Sequence, residues 1–124
     1  MDKNHAEARK RWGDTPAYSE YAAKTKGYSK AKWDTVNEGL MAIFAEFAAL
    51  QASGEEPYSA QAQALVIKLQ KYITDNYYTC TDEILKGLGQ MYVLDERFKK
   101  NIDKYGAGTA EYVRDAIASY FEVQ

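Results

Sequence analysis

The side chains that could carry covalent chemistry are few and far apart in this sequence. Its 124 residues include one cysteine, Cys80, and one histidine, His5. A cysteine nucleophile needs a base within hydrogen-bonding distance, so the first helix would have to fold back onto the fifth to pair them. The sequence instead favours a solvated His5 and a small, buried Cys80. A haem site is also disfavoured, because a proximal histidine belongs inside a packed helix pair.

Carboxylate pairs give no better candidate for a reactive centre. Glu55 and Glu56 lie in a predicted loop, where solvent exposure explains acidic residues. Asp95 and Glu96 begin a predicted helix, where capping explains them. A single cysteine forms neither an intramolecular disulfide nor a thiolate metal cage. We therefore expect no metal and no cofactor, and nothing in the sequence supports an enzyme.

Charge and hydropathy restrict the possible partners. The formal net charge is -2, so the chain itself lacks the positive charge that binding to nucleic acid requires. Its apolar stretches, such as "LMAIF", are far shorter than the roughly 20 residues of a membrane span, and its N-terminus has no apolar signal core. We expect a cytoplasmic protein without membrane contact. The 11 Tyr, 4 Phe and 2 Trp residues fit an aromatic core or a binding cleft.

Caps and breakers divide the chain into helices, with no persuasive strand pattern. The predicted helices begin at or just after Lys3, Thr15, Ser29, Ser59, Thr79–Thr81, Asp95 and Thr109. Of these residues, Thr15, Ser29, Asp95 and Thr109 are predicted N-caps, and Gly54 and Pro57 are predicted to end the helix that begins at Ser29. Inward-facing residues are predicted from their helical spacing: Trp33, Val36, Leu40, Phe44, Phe47, Leu50, Leu65, Leu69, Ile73, Tyr77, Phe98, Ile102, Val113, Ile117, Tyr120 and Phe121. The sequence predicts one all-α domain over residues 1–124, a compact bundle of six to eight helices. Residues 1–27 form short, weakly apolar helices, which we expect to be ordered only when they pack on something else.

One face of the predicted fifth helix is unusual. Cys80, Ile84, Gly87 and Met91 follow steps of four, three and four, which places them in one stripe. Gly87 and Gly89 each cost about 1 kcal/mol relative to alanine inside a helix. Two explanations remain open: close approach of a neighbouring helix, or room for a ligand against exposed backbone.

Several motifs together resemble the TipAS antibiotic-recognition domain, the effector-binding half of certain MerR-family transcriptional regulators. They are "RWGDTPAY", followed by a tyrosine and "KAKW", then "GQMYVLDERFKKNID" and "YVRDAI" at matching spacing, and the resemblance spans nearly the whole chain. It implies a globin-like helical fold without haem and a cleft that accepts thiopeptides and other bulky hydrophobic antibiotics. It also implies that the N-terminal helices, within residues 1–27, close over the ligand like a lid.

Two departures from the family pattern bear on mechanism. Thiopeptide-recognising members carry a second cysteine that attacks a dehydroalanine of the drug, and Gly87 occupies that position here. Cys80 corresponds to the other cysteine of the pattern; it could serve as an alternative attachment site, but the sequence favours a small buried residue. The winged helix-turn-helix and dimerising coiled coil of a MerR-type regulator are also absent. The chain is therefore expected to be a monomer: an excised part of a regulator, an internally initiated product, or a free-standing protein that sequesters drug.

The resulting hypothesis is a noncovalent binding domain for a hydrophobic antibiotic or peptide ligand, which reaches DNA only through an attached domain. The predicted ligand-binding residues are Tyr28, Trp33, Tyr77, Ile84, Gly87, Met91 and Tyr92. The alternative is a helical protein–protein interaction module, in which the aromatic surplus forms a patch for a partner helix. A sensor should hold a concave pocket, whereas an interaction module should expose a groove.

Overall fold

The structure, a computed structural model, describes residues 16–122, with side chains from Ser19 onward. Six helices occupy this range: α1 (Pro16–Thr25), α2 (Lys30–Ala52), α3 (Ala60–Asn76), α4 (Asp82–Leu94), α5 (Glu96–Asp103) and α6 (Thr109–Glu122). Residues 16–122 contain no β-strand, which confirms the predicted all-α class. The helix predicted over residues 3–12 lies outside the described residues.

The predicted N-caps Ser29 and Asp95 are confirmed, and so are the predicted helix starts at Ser59 and Thr79–Thr81. The side chains of Ser29, Ser59, Thr81 and Asp95 each accept a hydrogen bond from a backbone N–H of the following helical turn. Such bonds satisfy donors that have no partner inside the helix. The predicted end of α2 is also confirmed, since the helix ends at Ala52 and Gly54 follows with a φ of 89°, a conformation that glycine adopts readily.

The predicted cap of the last helix was wrong. Thr109 is the first residue of α6 rather than its N-cap, and its hydroxyl donates to Gly106 O at 2.6 Å. The capping oxygen comes from the preceding helix, where Asp103 Oδ1 accepts from Ala110 N at 2.8 Å. Asp103 also pairs with Lys99 at 2.7 Å. Burial opposes ionisation of Asp103, but the hydrogen bonds from Ala110 and Lys99 outweigh it and lower the pKa of this carboxyl.

We expect Asp103→Ala to lower the free energy of unfolding by about 1 kcal/mol, as loss of a helix cap does. Because folding lowers the pKa of Asp103, its contribution is present above the unfolded pKa of about 3.9 and is lost as the pH falls through the folded pKa. Urea denaturation at neutral and acidic pH measures both effects. Asp103→Asn is the matched control, because its amide oxygen can still cap α6. Equal stability of Asp103→Ala and the parent at neutral pH would contradict this assignment.

The core lies where α2, α3, α4 and α6 pack together, with α4 against α6 and α2 against α3. Its largest fully buried side chains are Phe44, Phe47, Ile43, Leu69, Leu85, Ile102 and Ile117. The predicted stripes of α2 and α3 supply Phe44, Phe47 and Leu69, whereas Ile43 and Leu85 were not among the predicted inward-facing residues. Phe98 was predicted to face the core, but it is 39% exposed. Its ring lies beside the buried Tyr92 ring, with 6.1 Å between the two centroids. The reason is that α5 spans only Glu96–Asp103, and Ile102 fills its core-facing position.

Helices α2 and α3 pack tightly at Gly39, a residue that the sequence did not single out. The ring of Tyr72 packs against the Gly39 backbone, and a Cβ added there would lie 2.7 Å from Tyr72 Cζ. The Tyr72 hydroxyl donates to Val36 O at 2.7 Å, which fixes the ring in place. Gly39 therefore allows the close packing of these two helices.

Among the helices of residues 16–122, none combines the length and the apolar character needed to cross a bilayer.

Candidate functional site

An aromatic cluster surrounds Trp33 near the beginning of α2. Its members are Tyr21, Tyr28, Trp33 and Tyr77, which come from α1, from the α1–α2 connection, from α2 and from the end of α3. The Trp33 ring lies 5.2 Å from Tyr28, 6.1 Å from Tyr21 and 6.3 Å from Tyr77 between centroids. Trp33, Tyr21 and Tyr28 are partly buried, whereas Tyr77 is buried. The cluster therefore offers aromatic surface at the junction of three helices.

Hydroxyl groups fix the orientation of these rings. Tyr28 Oη donates to Asn76 O at 2.7 Å, and Tyr77 Oη donates to Asn37 Oδ1 at 2.8 Å. Both bonds span long stretches of sequence and join α2 or the residues before it to the end of α3. Burial raises the pKa of Tyr77 far above its usual value, so its hydroxyl stays protonated and acts as a donor.

Polar contacts attach α1 to the same end of α3. Lys24 Nζ donates to Thr74 O at 2.7 Å, which places a cation beside the last carbonyls of α3, where the helix dipole favours it. Thr79 Oγ1 donates to Glu20 Oε2 at 2.5 Å, and this hydroxyl donor lowers the pKa of Glu20. Thus α1 is attached through polar bonds that are exposed or only partly buried and through an aromatic contact with Trp33, in agreement with its weak predicted hydrophobicity.

Cys80 does not share a helical face with Gly87, contrary to the predicted stripe. It precedes the N-cap Thr81 and lies outside α4. Both backbone polar groups of Cys80 are hydrogen-bonded. Its N–H donates to Thr74 Oγ1 at 3.0 Å, and its carbonyl accepts from Gln70 Nε2 at 2.8 Å. Burial, and secondarily the charge of the nearby Asp82, raises the pKa of the Cys80 thiol to about 12. A thiol of this kind supplies little thiolate at neutral pH and is a poor nucleophile.

Tyr92 lies in the core rather than at a cleft surface. It is 4% exposed and its ring meets Phe44 edge-on at 5.2 Å between centroids. Burial raises the pKa of Tyr92 well above its usual value, and charge on Tyr78, Cys80 or Tyr77 would raise it further. Tyr92 therefore stays protonated and packs as part of the core.

The core-facing residues of α4 are Leu85, Leu88, Gly89 and Tyr92. Ile84 and Met91 lie at the margin of this face, partly buried and packed against the core. Gly87 is exposed. The predicted stripe therefore follows one edge of the buried face of α4.

The two glycines of α4 have different surroundings. A Cβ added at Gly89 would lie 3.3 Å from Ile117 Cδ1, so close approach of α6 explains this glycine. A Cβ added at Gly87 would meet nothing within 4 Å. Gly87 lies in an open depression of about 400 Å³ between α4 and α6. Packing within the described residues therefore accounts for Gly89 but not for Gly87.

Gly87→Ala is expected to raise the free energy of unfolding by about 1 kcal/mol, because alanine is the better helix former and the added methyl has free space. Chemical denaturation measures this gain. Gly89→Leu is the opposing control, since its larger side chain must displace Ile117 and should destabilise the fold. A loss of stability in Gly87→Ala would show that the space beside this residue is occupied.

The structure thus brings together three of the predicted ligand-binding residues, Tyr28, Trp33 and Tyr77. Gly87 lies in the separate depression between α4 and α6, Ile84 and Met91 lie at the edge of the core, and Tyr92 lies within it. Tyr21, the fourth member of the cluster, was not among the predicted ligand-binding residues. The anchoring amide of Asn37 was missed because no sequence pattern pairs it with Tyr77. Within residues 16–122, no three His, Cys, Asp or Glu side chains are grouped so that they could hold a metal ion.

Comparison with known proteins supplies the family. A model of the TipAS antibiotic-recognition domain matches residues 5–120. This chain belongs to that family. The resemblance drawn from the sequence motifs is therefore confirmed.

Two curated relatives of the TipAS family match almost the whole chain. The HTH-type transcriptional activator TipA of Streptomyces coelicolor is 39% identical over 116 residues, which cover 94% of this chain and 46% of that protein. The HTH-type transcriptional activator mta of Bacillus subtilis is 36% identical over 118 residues, which cover 95% of this chain and 45% of that protein. The chain thus spans about half the length of these relatives.

A solved structure of TipAS from the thiopeptide multidrug resistance system of Streptomyces lividans, in complex with nosiheptide, has the same fold. The TM-score is 0.85 at 38% sequence identity, and the match covers 96% of this chain and 83% of that chain. The predicted globin-like helical architecture is confirmed.

Proposed function

We propose that this TipAS-family domain binds thiopeptides and comparable bulky hydrophobic antibiotics without forming a covalent bond. The observation that carries the proposal is the Trp33-centred cluster, in which partly buried rings are held by hydroxyl bonds at a junction of three helices. Large rigid aromatic surfaces bind apolar ligands at little entropic cost. The similar TipAS structure contains nosiheptide, which supports this ligand class.

The noncovalent mode follows from the two positions where a thiol could act. Gly87 has no side chain to react, although the family resemblance places the reactive cysteine there. Cys80 is 3% exposed, and burial raises the pKa of its thiol to about 12. Binding rather than catalysis is the role that this chemistry supports.

Incubation with nosiheptide followed by intact-mass measurement tests the noncovalent mode. We expect no adduct on the parent chain and a mass increase of one drug molecule on Gly87→Cys, because the family resemblance places the reactive cysteine at this position and the new thiol would be exposed with free space around it. Cys80→Ser in the Gly87→Cys background is the matched control and should keep the adduct. An adduct on the parent that disappears in Cys80→Ser alone would contradict the proposal.

The biological role that we propose is effector sensing. The curated relatives are transcriptional activators of about twice this length, and a ligand-binding domain attached to a MerR-type DNA-binding domain would alter the geometry of that dimer. A free-standing domain would instead sequester drug. In either role the domain itself is a cytoplasmic monomer that makes no contact with DNA.

Helix α1 is the part of the described structure best suited to respond to ligand. Its attachment depends in part on the exposed bond from Thr79 to Glu20, and exposed polar contacts contribute little stability. We therefore propose that drug binding strengthens the docking of α1. Amide hydrogen exchange with and without nosiheptide should show added protection in Pro16–Thr25, and unchanged exchange there at saturating drug would refute this closure.

A further inference from the structure

Helix geometry alone does not set the position of the Tyr77 ring. Tyr77 follows α3 as its C-cap, with a φ of -122° and a ψ of -58°, which are not the values of a regular helix. Its N–H donates to Ile73 O at 2.9 Å, and the carbonyl of the preceding residue, Asn76, accepts from Tyr28 Oη at 2.7 Å. These bonds hold the backbone but leave the side chain free to choose among its rotamers. The orientation of the ring therefore depends on what the ring and its hydroxyl contact.

The ring and the hydroxyl of Tyr77 contact two residues that lie one turn apart on α2. The ring lies 6.3 Å from the Trp33 ring between centroids, and the hydroxyl donates to Asn37 Oδ1 at 2.8 Å. Residues four apart in a helix lie on the same face. Trp33 and Asn37 thus hold Tyr77 against one face of α2, the first through the ring and the second through the hydroxyl.

Asn37 provides this acceptor with its side chain. By contrast Tyr72, on the same helix as Tyr77, donates to the backbone carbonyl of Val36 at 2.7 Å. Asn37 is exposed, and asparagine is a poorer helix former than alanine, so neither packing nor helix propensity accounts for it. Tyr77 is buried, and a buried hydroxyl that loses its acceptor must stay unpaired or move toward water. The contribution of the Asn37 side chain is therefore the acceptor that it offers to Tyr77.

We propose that Asn37 is a positioning residue for drug binding: its amide oxygen keeps the Tyr77 ring in the orientation in which the Trp33 cluster contacts the drug. Without this acceptor the hydroxyl has to reach solvent, and the ring leaves that orientation for part of the time. The apparent affinity falls with the population of the binding-competent orientation. Asn37 acts through Tyr77 rather than through contact with the drug. This role rests on the proposed binding of antibiotics at the cluster.

Two substitutions of Asn37 differ in whether they keep an acceptor oxygen. Asn37→Ala removes it, and we expect the affinity for nosiheptide to fall about tenfold, as loss of one hydrogen bond to a buried group does. Asn37→Asp keeps an acceptor in its carboxylate and should retain the parent affinity. Asn101→Ala, at an exposed position on α5, is the matched control and should change nothing. Isothermal titration of the 124-residue chain and its variants measures the affinities.

A double-mutant cycle and a drug-free spectrum separate positioning from a purely structural role. In a Tyr77→Phe background the hydroxyl is absent, so Asn37→Ala should cause no further loss of affinity. In a Trp12→Phe background Trp33 is the one remaining tryptophan. Its near-UV circular dichroism should change with Asn37→Ala before any drug is added, and Asn37→Asp should preserve the parent spectrum.

The possible outcomes distinguish this inference from the proposed function. Because alanine favours the helix at this exposed position, Asn37→Ala should remain folded. If it lowers stability in urea but binds nosiheptide as tightly as the parent, the role of Asn37 is only structural and the inference is overturned alone. An equal loss of affinity with and without the Tyr77 hydroxyl would overturn it too. A parent chain that does not bind nosiheptide would contradict the proposed function and, with it, this inference.

Discussion

Gly39→Ala is expected to lower the free energy of unfolding by about 2 kcal/mol. The added methyl would lie 2.7 Å from Tyr72 Cζ. The ring cannot move away without breaking the hydrogen bond that the Tyr72 hydroxyl donates to Val36 O. Overpacking of this kind costs about 3 kcal/mol, which the higher helix propensity of alanine offsets by about 1 kcal/mol. Chemical denaturation followed by circular dichroism measures the difference.

A double-mutant cycle isolates the contact between these two helices. In a Tyr72→Leu background the clash is absent, so Gly39→Ala should raise stability by about 1 kcal/mol through helix propensity alone. Gly87→Ala is the matched control for propensity, because it lies in the same kind of helical position without a neighbour. An equal cost of Gly39→Ala in both backgrounds would show that Tyr72 is not the cause.

Trp33→Ala is expected to weaken nosiheptide binding about 30-fold or more. Tryptophan in a well-packed cluster is a typical binding hot spot, and its truncation costs about 2 kcal/mol or more. Trp33 also contacts Tyr21, Tyr28 and Tyr77, so its removal would loosen the rings that we expect to contact the drug. Isothermal titration of folded variants measures the change in affinity.

The control variant must show whether a loss of affinity comes from weaker packing of the protein or from a lost contact with the drug. Tyr112→Ala removes a buried ring that packs against Phe47 at 6.4 Å between centroids; it belongs neither to the Trp33 cluster nor to the lining of the Gly87 depression. It should reduce stability while preserving nosiheptide affinity. If both variants lose affinity equally, the drug does not bind at Trp33 in particular.

The sequence correctly predicted features that depend on one helix alone. The caps Ser29, Ser59, Thr81 and Asp95 act on their own helices, and the apolar stripe of α2 follows from its period alone. The cap of α6 was wrong because Asp103 reaches it from another helix. Gly39 was missed for the same reason, since its role depends on Tyr72 across a helix interface.

The candidate site was predictable only in part. Tyr28, Trp33 and Tyr77 could be proposed from residue type and resemblance, and the structure groups them. Gly87 was correctly recognised as unusual, but periodicity cannot show that Cys80 lies outside the helix or that α6 faces only one of the two glycines. Such facts depend on how helices pack against each other, which a one-dimensional pattern does not contain.

The most direct test of the proposed function is a nosiheptide titration of a Trp12→Phe variant, in which Trp33 is the one remaining tryptophan. Its fluorescence should change saturably at one drug molecule per chain, and the intact mass of the protein should stay unchanged. A constant Trp33 signal across the titration, with circular dichroism showing a folded protein, would contradict drug binding at this cluster.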